Sequence, residues 1–159
     1  MSETTENQIE ELVEDQPTEE GNTKELTPEE ILNDLRNQRT GMFDVELAYT
    51  DASYLRNLLD RAEYKGPQQA YLLIISKLEI SQICESLKEF NKEEKKKVKL
   101  TSASIESISF FMNNAVGKGA ATAQKLFAAS MVLRPAVARI NEIDQQMSII
   151  QKGLESESK

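Results

Sequence analysis

The chain has 159 residues, 39% of them hydrophobic, with one cysteine, no histidine and a formal charge of −8. That length predicts one modest domain with tails, and a lone Cys84 excludes an intramolecular disulfide, which points to the cytoplasm or, for a viral protein, the virion. No apolar run approaches the roughly 18 residues of a membrane span, and the acidic N-terminus is unlike a secretory signal, so a soluble protein without a membrane partner is expected.

Residues 1–26 carry nine acidic side chains against Lys24, which leaves 18 acids and 18 bases in the rest of the chain. The low isoelectric point therefore belongs to this segment alone. Its apolar residues are Ile9, Leu12, Val13 and Leu26, too few to offset the entropy of ordering, so a disordered acidic tail is expected over 1–26. Such a tail keeps a protein in solution. It could also serve as an arm for a basic partner, or fold on binding through Ile9, Leu12 and Val13.

Thr27-Pro28-Glu29-Glu30 is a helix start, with Thr27 as cap, Pro28 at the first position and Glu30 completing a capping box. A short helix over 27–40 follows, with Ile31, Leu32 and Leu35 on one side and Gly41 closing it. Phe43, Val45, Leu47 and Tyr49 then alternate with Asp44, Glu46, Ala48 and Thr50, the period of a half-buried strand. Asp51 is placed to cap a helix bearing Leu55, Leu58, Leu59 and Ala62 on one face, and Lys65-Gly66-Pro67 ends it and starts the next. This next helix, about Pro67 to Phe90, is apolar around much of its first half and is expected to be the most buried element.

Asn91 to Lys99 form a polar linker that runs into a basic strand. Thr101, Ser102 and Ser104 offer caps to a helix with Ile105, Ile108, Phe111, Met112 and Ala115 inward. Gly117-Lys118-Gly119 makes a turn, and a last long helix opens at Ala120. Pro135 lacks an amide hydrogen and crowds the preceding turn, which predicts a kink or restart. Ile140, Ile143, Met147, Ile150 and Leu154 continue at alternating spacings of three and four, a heptad seam suited either to self-association or to packing against Ile31, Leu32 and Leu35. The end from Glu155 is expected to fray.

Displacing the sequence by 53 residues without a gap lays Val45, Leu47, Ala62, Lys65, Gly66, Ala70 and Leu73 on Val98, Leu100, Ala115, Lys118, Gly119, Ala123 and Leu126. Apolar positions match as well, Leu55, Ile74, Leu78 and Ile80 meeting Ile108, Phe127, Met131 and Leu133. The expected organisation is a tail over 1–26, a helix over 27–40, one strand-helix-helix repeat over 41–92, a second over 93–145 and a helical extension over 146–159. The fold class is mainly α with a two-stranded antiparallel ribbon.

This layout, with its Lys65-Gly66 and Lys118-Gly119 turns, resembles the ribbon-helix-helix fold with both halves on one chain. The resemblance implies reading of the DNA major groove by outward strand residues. Those would be Asp44, Glu46 and Ala48 in one repeat and Lys97, Lys99 and Thr101 in the other. Two carboxylates repel phosphate, whereas pairing Glu46 with Lys97 or Lys99 across the ribbon would cancel the charge.

For catalysis the residues offer little. Without histidine the commonest general base is absent, and Cys84 lies on an apolar helix stripe, as a buried structural thiol would. Gly117-Lys118-Gly119-Ala120-Ala121-Thr122 lacks the Walker spacing and reads as a turn. No catalytic, cofactor or metal residue and no small-molecule substrate is assigned. The expected role is a non-enzymatic protein-interaction or assembly protein, such as an accessory component of a viral or other multi-subunit assembly. Its candidate oligomerisation residues are Ile140, Ile143, Met147, Ile150 and Leu154. Lys95, Lys97, Lys99 and Thr101 are the candidate contacts for nucleic acid or an acidic partner. The alternatives are a DNA-binding regulator using the second strand, and an acidic-arm inhibitor of a DNA-binding protein.

Overall fold

A computed structural model of the chain describes residues 25–157, with side chains to Ser156. The readings made for residues 1–24, including the acidic-arm inhibitor, lie outside the described residues. In order, the elements are α1 (Pro28–Arg39), β1 (Met42–Leu47), α2 (Tyr49–Asp60), α3 (Gly66–Leu87), β2 (Lys96–Thr101), α4 (Ser102–Asn113) and α5 (Ala120–Glu157). The fold is mainly helical, with the two strands forming one antiparallel sheet.

The duplication governs the geometry. Advancing α2 by 53 positions reproduces the bounds of α4, residue for residue. Gly66 and Gly119, matched by the same offset, both take a left-handed backbone (φ 74° and 87°) where the second helix of each repeat begins. An L side chain is strained there, so both turns need glycine. In the ribbon, Val45 lies opposite Val98, its own counterpart, so a pseudo-two-fold axis passes between these two residues. Buried positions agree across it: Ala52 with Ile105, Leu55 with Ile108, Leu59 with Met112, Ile80 with Leu133 and Leu87 with Ile140. Phe43, Val45 and Leu47 of β1 and Leu100 of β2 turn inward and close the core over the helices.

Each first helix is capped by different means. In the first repeat Asp51 stands in the first turn of α2 and accepts the Ala48 N–H at 3.0 Å. The expected strand to Thr50 and the expected cap at Asp51 are therefore corrected. The chain leaves the strand at Leu47, Ala48 is the buried cap position, and Tyr49 already opens the helix. In the second repeat Thr101 is the cap, its Oγ1 accepting the Ser104 N–H at 3.2 Å. Glu79 reaches there from α3, accepting the Thr101 N–H at 2.8 Å and hydroxyl at 2.9 Å, and also the Ser104 hydroxyl. A carboxylate serves both helix starts, locally in one and from across the pseudo-dyad in the other.

Further expectations are corrected. The most buried element is α4, with seven of its 12 residues buried, while α3 leaves Tyr71, Ile74 and Leu78 in solvent. The first half of α3 is apolar on more sides than its neighbours can cover. Ala115 is exposed beyond the end of α4, and Phe90 is exposed beyond the end of α3, with the Lys96 ammonium 4.6 Å from its ring centre. Helix α5 runs through Pro135 to Glu157 as one helix, so the restart allowed for at Pro135 does not occur.

Candidate interaction surfaces

The outward side of the ribbon carries alternating charge. Asp44 faces Lys99 and Glu46 faces Lys97, with 3.6 Å between the Lys99 ammonium and the Asp44 carboxylate. The two strands thus neutralise each other, as opposite charges on cross-strand neighbours do. Thr101 does not belong to this outward face, because its side chain is committed to capping α4. Ala48, counted outward by period two, is buried because the strand has already ended. Lys95 precedes β2 and is exposed, while Lys96 pairs with Glu94 at 2.5 Å. Of the candidate basic residues only Lys97 and Lys99 share a face.

The heptad seam is occupied within the chain. Ile140 and Ile143 are buried, Met147 and Ile150 pack against the core with part of their surface exposed, and Leu154 is half-buried. Helix α1 covers this part of α5 and buries Leu32 and Leu35. Arg39 fastens the pair, donating to Asp144 at 2.8 Å and to Glu106 of α4 at 2.5 Å. Burial lowers its pKa, but the hydrogen bonds and charges of Asp144 and Glu106 outweigh that and leave it raised. Arg139 also donates to Gln38 at 3.0 Å.

Two surfaces escaped the sequence reading. The first is apolar and duplicated. Ile74 and Leu78 on α3 are both 59% exposed, and their counterparts Phe127 and Met131 on α5 are 67% and 43% exposed. The offset of 53 pairs these residues, and an apolar match by itself does not distinguish a core position from a shared surface. The second is a groove between α2 and the start of α5, made of two hollows of about 360 and 510 Å³ that share Tyr54, Asn57 and Lys125. Burial pushes the Tyr54 phenol above its ordinary range.

Cys84 is fully buried on α3, where burial raises its thiol pKa against the opposing pull of Arg56. A thiol so placed remains protonated and a poor nucleophile. Among the described residues no group of three or more Cys, Asp or Glu is placed to hold a metal ion, and no helix is long and apolar enough to cross a membrane. No family model, curated protein or solved structure matches the chain.

Proposed function

We propose that the chain is a non-enzymatic interaction and assembly protein that associates with protein partners, copies of itself among them, through the apolar faces of α3 and α5. The carrying observation is the pair of stripes just described, Ile74 and Leu78 on one helix and Phe127 and Met131 on the other. Large apolar side chains left in water at matched positions of both repeats mark a surface that another protein covers. A pseudo-two-fold molecule with two such faces offers two docking positions per chain, which suits a subunit of a larger assembly. A setting in the cytoplasm or inside a virion accords with the single buried thiol.

A DNA-binding role through Lys97 and Lys99 has less support, because Asp44 and Glu46 face them across the ribbon. The heptad seam is the weaker choice for self-association, since α1 covers it.

Sedimentation velocity over a range of concentrations tests the assembly reading. The expected result is a mass that rises above the monomer at about tens of micromolar, as a modest apolar interface allows. Ile74→Glu together with Phe127→Glu should return the chain to a monomer while its helical circular dichroism persists. A monomer at every concentration, or association untouched by those substitutions, would contradict the reading.

A further inference from the structure

The pseudo-dyad predicts two equivalent seams between the repeats, α3 against α4 and α5 against α2. They differ. Helix α3 packs along α4, whereas α5 meets α2 only briefly and leaves the groove open. The sequence explains the difference position by position. The positions that match Asn57, Lys125 and Ala128 of the open seam carry Phe110, Leu72 and Ile75, of which Leu72 and Ile75 are half-buried and Phe110 is 44% exposed. Bulky apolar side chains have been replaced by polar or small ones, and nothing else in the chain's described residues fills the space.

The groove has a consistent chemistry. Leu58 and Leu126, both packed against the core, lie at its apolar base. Arg61, Lys92 and Lys125 stand around it, and none of the three makes an ion pair among the described residues. Asp51, the one carboxylate in the lining, is held at the start of α2 by the Ala48 N–H. The matching positions of the closed seam carry half-buried aliphatic side chains, Leu72 and Ile75, and side chains of that kind fit such a space. The cations around the open one add a demand for negative charge.

The geometry points to the α2–α5 groove as the docking site for an acidic peptide segment of a partner protein, its apolar side chains seated between the helices and its carboxylates on Arg61, Lys92 and Lys125. This deepens the interaction reading and rests on it only for the absence of catalysis. A peptide suits the groove better than a nucleic acid does. Its base accepts apolar side chains, and its three cations, spaced from Lys92 beside Thr50 at the start of α2 to Arg61 at its end, are few for a phosphate backbone.

The test uses the full chain and a short fluorescein-labelled peptide repeating Glu-Glu-Leu-Phe, followed by anisotropy at low salt. Saturable binding is expected, weakened by salt and by replacing the peptide's glutamates with glutamine. Arg61→Glu with Lys125→Glu should reduce affinity by about tenfold or more, while Lys97→Glu on the ribbon should leave it unchanged. Three results would overturn the proposal. They are binding indifferent to the groove substitutions, tighter binding of a single-stranded oligonucleotide of equal charge, and peptide binding that emerges only when the acids of residues 3–20 are changed to amides. The last would assign the groove to the chain's own N-terminal segment. Sedimentation without the probe reads assembly separately, so failure of the groove and failure of the assembly reading are different outcomes.

Discussion

Cys84 shows how much one residue's surroundings decide. It occupies the position that Val137 takes in the second repeat, and it behaves as a small apolar side chain with an acidic proton. Burial raises its pKa in the folded state, opposed by Arg56 and Lys88 and reinforced by Glu85. A raised folded pKa means that the native state holds the proton more tightly than the unfolded chain does. The resulting stability is complete below the unfolded thiol's range, near about pH 8.5, and is lost as pH rises through the folded value. Urea denaturation at neutral pH and at about pH 10 should therefore show wild type losing more stability than Cys84→Val on going alkaline. Parallel losses in the two proteins would mean that the thiol does not titrate with unfolding. Valine is the suitable replacement because the fold already accepts it at the matching site.

At the scale of elements, the sequence disclosed where helices start better than which faces they bury. Thr27 and Glu30 form the expected reciprocal pair, Glu30 accepting the Thr27 N–H at 2.8 Å and Thr27 the Glu30 N–H at 3.2 Å. Capping depends on neighbours within a turn and is local enough to read. Glu79 was unreadable, because the donors it accepts from lie 22 and 25 positions away, at Thr101 and Ser104. Helix α3 misled for a related reason, since its composition is apolar on several sides and only tertiary packing selects the buried one.

The same limit applied to the heptad seam, whose spacing fits an internal partner as well as an external one. In the structure α1 is that partner, and the consequence is testable. Ile143 is 1% exposed, so Ile143→Asp places a carboxylate in the core and should cost about 4 kcal/mol or more. The expected outcome is a cooperative loss of helical signal and a collapse in melting temperature. A folded variant whose only change is a smaller mass would instead place the seam between chains.

For the whole molecule, the duplication was legible in seven identities and a set of apolar matches, because a core must repeat when a scaffold repeats. The strand register was implicit in the same offset, which puts Val45 on Val98, the pair that sits on the pseudo-dyad. What the alignment did not disclose was where the copies differ in packing and which matches lie outside the core. The ribbon faces carry opposite charge and the two inter-repeat seams are one closed and one open, while the matched stripes of α3 and α5 both face solvent. Those departures from symmetry, and the two apolar matches that are not core, are the features on which the proposed interactions rest.

The two repeats complete each other within one chain, and the proposed use of the outer helices in assembly rests on that. Replacing Val45 and Val98 by cysteine in a Cys84→Val background tests it most directly. Residues directly opposite in an antiparallel ribbon have Cβ atoms about 4.5–5.5 Å apart, within a small adjustment of disulfide geometry. After mild oxidation the cross-link is expected within single chains, seen as a monomer on a non-reducing gel at every protein concentration. A covalent dimer as the main product would show instead that the ribbon forms between chains.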